Sequence, residues 1–337
     1  MNNCSSDNMS IKEKMRDLYR ANFDDSEQYI DYFFMYKYAQ SRIYYSSENN
    51  TLLCGLHIIP KTFSLNGRLL SLPYIVAAAT YPEHRRKGLM RELIKNAARD
   101  YNPILALYPF NHEYYEQFGF FSMNYVSSKT ISYTADSAYI TLEANANAAP
   151  RIYSLYRKFS KNFDAYLYRN EKDLEDKINE ITAGGGKCII IQVDNTDIGY
   201  AMYDREGIVE TDMSYNDISK VETLDGYTYN MPHNIFADNL SEEWSSAQKN
   251  IMFLITDIKT LLDIIQADDK LLSHIDKNTV INIKDSFLEA NNISFIYTDT
   301  DGINYCSAET KADKTYTTAE FGHNLFNNLR SFIMEKY

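Results

Sequence analysis

At 337 residues the chain exceeds what one ordinary hydrophobic core supports and suits two or three domains of roughly 100–150 residues each. Its 45% hydrophobic and 24% charged residues are the composition of a soluble globular protein, and a disordered class is excluded. A net charge of −12 argues against nucleic acid, whose phosphates demand basic patches, and agrees with a cationic partner as well as with the ordinary acidity of cytosolic proteins.

The first fifteen residues are polar and lack the apolar stretch of a secretion signal, and no segment approaches the roughly 18 apolar residues that cross a bilayer. The expectation is a cytoplasmic protein with no membrane partner. Cys4, Cys54, Cys188 and Cys306 stand far apart without a CxxC pair, which suits reduced thiols and suggests no structural zinc.

In chain order, residues 11–38 read as two helices, the second after the start signal Asp24-Asp25-Ser26. Strands follow at Arg42–Ser46, Leu52–Pro60 and Leu69–Thr80, with Asn66-Gly67 as a hairpin turn between the last two. A helix from about Arg86 to Tyr101 gathers Leu89, Met90, Leu93, Ile94, Ala97 and Ala98 on one apolar face. Then come a short strand Ile104–Tyr108, a helix Asn111–Phe118 closed by Gly119, and strands near Phe120–Tyr125 and Lys129–Tyr133.

A boundary is expected within Thr134–Pro150. A second unit follows with helices Arg151–Phe163 and Glu171–Ile181 and strands Cys188–Val193 and Gly199–Tyr203. A third begins near Asn250: strand Met252–Ile255, helix Ile258–Ile265, strands Thr279–Lys284 and Ser294–Tyr297, and a last helix from Thr318 to the end of the sequence.

The chemistry-bearing segment runs from Ile75 to Met90, an apolar strand followed by the basic turn Arg85-Arg86-Lys87-Gly88 and a helix. A pyrophosphate needs such a turn. The first helical N–H groups are unpaired, the positive end of the helix dipole adjoins them, three cationic side chains add charge, and Gly88 lets phosphates approach the backbone. A solvated basic helix start is the bland alternative, but the ordered set of strand, turn, helix, strand and Tyr-rich helix speaks against it.

Here the chain resembles the GCN5-related N-acetyltransferase (GNAT) family, whose signature is Arg/Gln-x-x-Gly-x-Gly/Ala. Arg85-Arg86-Lys87-Gly88-Leu89-Met90 matches except at Met90, which is similar to the Arg-Arg-x-Gly-Leu-Met/Leu form of the Eis-type (enhanced intracellular survival) branch. The segment Pro109-Phe110 through Tyr115-Glu116-Gln117-Phe118-Gly119-Phe120 resembles that branch's Tyr-x-x-Phe-Gly-aromatic pattern and selects Tyr115, rather than Tyr114, as its general acid. A phenol with a pKa near 10 suits delivery of a proton to a departing thiolate.

The resemblance implies an α/β (α+β) enzyme of three domains: a GNAT mixed sheet flanked by helices over 1–134, a reduced GNAT-like domain over 135–249, and a sterol-carrier-protein-like α+β domain over 250–337. It implies acetyl-CoA as co-substrate, with Val76, Ala77, Ala78, Arg85, Arg86, Lys87, Gly88, Leu89 and Met90 around it, and no metal. It also implies a small cationic amine acceptor such as an aminoglycoside or polyamine and a homo-oligomer, such as the hexamer of that branch. The α-carboxylate of Tyr337 is expected to accept the amine's proton, because the chain end of Eis-type enzymes returns to the cleft. Acetylation of peptide lysines, and a non-catalytic module binding an apolar ligand, are the competing readings. His84, beside the turn, is a further candidate for contact with substrate or coenzyme.

Overall fold

The computed structural model describes residues 9–232, 244–307, 309–326 and 329–335. Two helices open the chain: α1 (Ile11–Arg20), started by a reciprocal cap between Ser10 and Glu13, and α2 (Glu27–Tyr32), capped by Ser26 and continued through a π-helical turn at Phe33–Lys37. Their apolar faces bury Met15, Leu18, Tyr19, Ile30, Phe33 and Phe34.

The first strands are β1 (Arg42–Glu48), β2 (Thr51–Leu65) and β3 (Arg68–Thr80). Asn66 and Gly67, with φ of 47° and 82°, form the tight β2–β3 turn in the left-handed region that this dipeptide tolerates. After the basic turn come α3 (Leu89–Asp100), β4 (Ile104–Leu107), the one-turn α4 (His112–Glu116), β5 (Phe121–Ser122) and β6 (Tyr125–Thr130). The expected helix over Asn111–Phe118 is therefore shorter, because Gly119 at φ 87° turns the chain out.

The next elements are β7 (Ile140–Glu143), α5 (Ala149–Ser160), β8 (Ala165–Tyr168), α6 (Glu171–Ala183), β9 (Lys187–Val193), β10 (Thr196–Asp204), β11 (Gly207–Thr211) and β12 (Thr228–Pro232). Then follow β13 (Gln248–Lys249), β14 (Met252–Ile255), α7 (Ile258–Ile265), β15 (Val280–Lys284), β16 (Ser294–Thr298), β17 (Gly302–Tyr305), β18 (Lys314–Thr317), α8 (Thr318–Phe326) and β19 (Ser331–Phe332). The last helix does not continue along the tail as expected. It spans Thr318–Phe326, and Ser331–Phe332 form a strand.

The molecule is mixed α/β, with helices on the faces of a large mixed sheet ordered β19-β8-β2-β3-β4-β14-β5, to which β1 adds by pairing with β2. This sheet runs across the expected boundaries at 134/135 and 249/250, since β8, β14 and β19 all enter it. The reason is burial. All four residues of β4 are buried, as are all four of β14, and β14 (Met252–Ile255) lies antiparallel beside β4, supplying the second neighbour that a central strand requires.

One face of the sheet packs on α1, α2, α7 and α8, the other on α3 and α4. The second unit's sheet, β11-β10-β9-β7, is wholly antiparallel and packs on α5 and α6, and β15–β18 form a four-stranded sheet of their own.

Candidate active site

The site begins as an interruption in β3. Gly55 faces Ala79 and His57 faces Val76, so Leu56 opposes both Ala77 and Ala78 in a β-bulge. Ala77 takes a positive φ of 49°, an unfavoured conformation for a residue with a Cβ. The bulge turns Val76 and Ala77 to the face covered by α1 and α2, while Ile75 and Ala78 face α3.

At the same place β3 parts from β4. The parallel pairing covers Tyr74 with Ala106 and Ile75 with Leu107, β4 then ends, and β3 continues to Thr80. The stretch Val76–Ala79 thus presents a free backbone edge on that side, able to pair with amide groups of a bound molecule.

The basic turn follows directly. Arg86 and Gly88 adopt left-handed φ of 62° and 77°, and Gly88 serves as N-cap of α3 without a side-chain cap. Among the described residues the N–H groups of Arg86, Lys87, Gly88, Leu89 and Met90 donate to no backbone carbonyl. A Cβ built on Gly88 would meet no atom within 4 Å, so the cradle is open. Open N–H groups, helix dipole and the exposed Arg86 and Lys87 side chains fit a pyrophosphate. The Arg85 guanidinium is otherwise engaged: Nε donates to Thr80 O at 3.1 Å and Nη2 to Asn22 Oδ1 at 2.8 Å, which ties the turn to the end of β3 and to the loop after α1. His84 closes the 3-10 turn Pro82–His84 just before it.

Tyr115 lies on α4, whose cap Asn111 accepts the Tyr114 N–H at 3.0 Å. Its ring is buried among Phe110, Tyr114 and Phe120 at centroid distances of 5.7, 5.0 and 5.6 Å. Its hydroxyl has no hydrogen-bond partner among the described residues, yet it is not among the side-chain atoms sealed from solvent. Burial, reinforced by Tyr114, pushes the phenol above its usual pKa, so it stays protonated. Ile75, Ala78, Leu89, Met90 and Tyr115 pack in one cluster. The bulge, the helix start and the phenol are therefore brought together.

The tail closes the other side. The Glu335 carboxylate is held by Lys61 Nζ at 2.8 Å and Arg169 Nη2 at 2.6 Å, with Lys177 Nζ at 3.8 Å, while Tyr74 Oη donates to the Glu335 carbonyl at 2.8 Å. Burial alone would push this carboxyl up. Lys177, Lys61 and Arg169 instead hold it well below the usual range. Beside it Lys37 pairs with Glu180 at 3.0 Å, and Arg169 pairs with Glu210 at 2.7 Å. Glu335 is the common wall of two cavities. One, of about 390 Å³, lies over this charged cluster; the other, of about 160 Å³, is bordered by Tyr108, Asp204, Glu206, Lys249, Asn250 and Met334.

The family model "Acetyltransferase (GNAT) domain" matches residues 9–123, the segment that holds the bulge, the basic turn and Tyr115. Residues 9–123 are a GNAT acetyltransferase domain. Among solved structures, a probable N-acyltransferase from Enterococcus faecalis V583 aligns at 14% identity over 91% of this chain and 85% of its own, with a TM-score of 0.67. A GCN5-related N-acetyltransferase from Kribbella flavida aligns at 12% identity over 96% and 95%, with a TM-score of 0.64. Eis1 from Mycobacterium abscessus aligns at 12% identity over 88% and 90%, with a TM-score of 0.60. These likenesses show the fold, beyond the GNAT domain as well as within it. No curated protein matches the sequence.

Within the GNAT domain the residues expected around the coenzyme, Val76–Ala78 and Arg85–Met90, converge on one end of β3. Tyr337 lies outside the described residues. Sequence reasoning missed Glu335 and the cations that hold it. The available signal was chemical: a lone acid after Phe332-Ile333-Met334, and Lys177 on the apolar face that Leu174, Ile178 and Ile181 define on α6. Among the described residues no helix is long and apolar enough to cross a membrane, and no group of three or more His, Cys, Asp or Glu could hold a metal ion.

Proposed function

We propose that the protein transfers an acetyl group from acetyl-CoA to a primary amine of a cationic acceptor, such as an aminoglycoside or polyamine, directly within one ternary complex. The observation that carries this reading is the β3 edge parted from β4 at the Ala77 bulge, flanked by an uncapped basic helix start and a buried, protonated phenol.

Acetyl-CoA supplies the activated acyl group. Arg86, Lys87 and the N–H groups from Gly88 to Met90 hold its pyrophosphate, and Arg85 fixes the turn. The edge of Val76–Ala78 pairs with the amides behind the thioester, and an N–H of the bulge polarises the carbonyl. Electrostatic support of this kind usually contributes more than any other effect to the rate of acyl transfer. As the amine nitrogen bonds to the acetyl carbon and the C–S bond breaks, Tyr115 donates a proton to the departing sulfur, and the proton that the amine sheds passes to water. Glu335 is neutralised by Lys61 and Arg169, so attraction of a cationic acceptor falls to Asp204 and Glu206 on the wall of the smaller cavity.

A thiol-release assay with acetyl-CoA and a panel of aminoglycosides, polyamines and lysine peptides tests the reading. Release with the aminoglycosides or polyamines supports it. Release with lysine peptides alone would replace the acceptor class, and no release together with no acetyl-CoA binding would overturn the enzyme reading.

A further inference from the structure

The second unit contains a cavity that the transfer chemistry does not use. It has a volume of about 340 Å³ and lies between α5, the end of β11, β12 and the tail. Phe159, Phe163 and Phe332 form one wall, packed against each other at centroid distances of 5.0–5.1 Å. Tyr229 adds a fourth ring to the lining, backed by Tyr215 and Trp244 at centroid distances of 5.8 and 5.9 Å, with its hydroxyl donating to Met213 O at 2.8 Å.

Into this aromatic surround comes one carboxyl, Asp212. Oδ1 accepts the Tyr200 N–H at 2.8 Å, and among the described residues no cation forms an ion pair with Asp212. Burial pushes it up to about 7, against the Tyr200 backbone N–H and its own, which favour the charged form, with Glu210 adding a little to the rise and Lys158 opposing it least. Arg330 also lines the cavity, but its backbone N–H donates to Asp164 Oδ2 at 2.9 Å and its Nε sits 3.5 Å from the same oxygen. The contrast with Glu335, whose charge is matched by cations of the chain, is direct.

Aromatic faces attract cations through the ring quadrupole, and a desolvated carboxylate without a counter-charge completes such a site. The cavity also adjoins the smaller one described above: Asn230 and Met334 line both, and that one reaches Tyr108 at the end of β4.

We propose that this cavity is a recognition subsite for an organic ammonium group, the end of an amine acceptor remote from the nitrogen that is acetylated, with Asp212 as its counter-ion and Phe159, Phe163 and Phe332 as its walls. The link to the acceptor rests on the proposed acetyl transfer. The binding of an ammonium does not. The subsite selects acceptors with two separated amines over monoamines.

The test uses choline, a quaternary ammonium without an acetylatable amine, and its uncharged isostere 3,3-dimethylbutan-1-ol, titrated calorimetrically into the full chain. Choline is expected to bind at least about tenfold more tightly than the isostere, the margin a desolvated cation–π and carboxylate site gives. Asp212→Asn keeps an acceptor for the Tyr200 N–H and should remove that preference, and Phe163→Leu should weaken choline several-fold. In transfer assays, Asp212→Asn should lower kcat/KM for a diamine more than for a monoamine of equal length. Equal binding of choline and isostere, or an unchanged preference in Asp212→Asn, would overturn the subsite even if transfer is intact. Absence of transfer with the choline preference present would overturn the acceptor link and leave the ammonium site standing.

Discussion

Two strand-to-helix turns, one in each half of the molecule, show what makes a helix start a binding site. After β3 the chain passes through Arg85-Arg86-Lys87-Gly88, and α3 begins on a glycine with no side-chain cap. After β8 it passes through Arg169 and Asn170, and α6 begins with a reciprocal cap between Asn170 and Asp173 and with Glu171 and Asp173 in its first turn. The second start satisfies its own N–H groups and carries negative charge; the first leaves its N–H groups open and is ringed by cations. The sheets differ in the same sense. β3 leaves β4 after two paired residues, whereas β9 and β10 stay paired along nearly their whole length. The charge at the first helix start complements an anion, and the charge at the second opposes one.

The strongest way to break this comparison is to remove the chemistry from the first half. Tyr115→Phe should lower kcat about 10²–10⁴-fold while acetyl-CoA still binds, and Tyr114→Phe should be mild by comparison. Equal losses in both would deprive Tyr115 of a special role.

The next effect concerns the junction between the halves. Glu335→Gln leaves Arg169 and Lys61 short of a counter-charge in a buried site and should destabilise by about 3–5 kcal/mol, read by chemical denaturation. Because its neighbours depress the Glu335 carboxyl, its contribution is full above the unfolded carboxylate value near 4.5 and is lost as pH falls through the lower folded value. Asp212 has the opposite sign. Raised from 3.8 to about 7, it costs stability as pH rises between those values, so Asp212→Asn should gain on the wild type between about pH 4 and pH 7. A flat difference over that range would show that Asp212 ionises normally.

Smallest is the self-satisfied helix start. Asn170→Ala should cost about 1 kcal/mol of stability and leave acetyl-CoA binding unchanged. A loss of coenzyme affinity there would erase the distinction between the two turns.

The legible parts of the molecule were local. Arg85–Gly88, the Asn66-Gly67 turn and the apolar face of α3 each depend on neighbours within a few residues, and the pattern reveals them. What the sequence hid depends on distance along the chain. Met252–Ile255 is recognisable as a buried strand, but nothing in four apolar residues says that they pair with Ile104–Leu107. Glu335 finds Lys61, Arg169 and Lys177 only because the fold brings the tail between β2, β8 and α6. The bulge was hidden for another reason. Alanine has no preference for positive φ, so Ala77 gives no local sign of the conformation that the surrounding sheet imposes on it.

The most direct test of the account is calorimetric titration of acetyl-CoA into the wild type, an Arg86→Ala/Lys87→Ala double variant, Gly88→Val, and an Asn170→Ala/Asp173→Ala double variant. Loss of two phosphate-binding charges should weaken acetyl-CoA by about tenfold or more, Gly88→Val should weaken it further by filling the cradle, and the α6 variant should bind as the wild type does. Undiminished affinity in both α3-turn variants would contradict the placement of the coenzyme at β3 and α3.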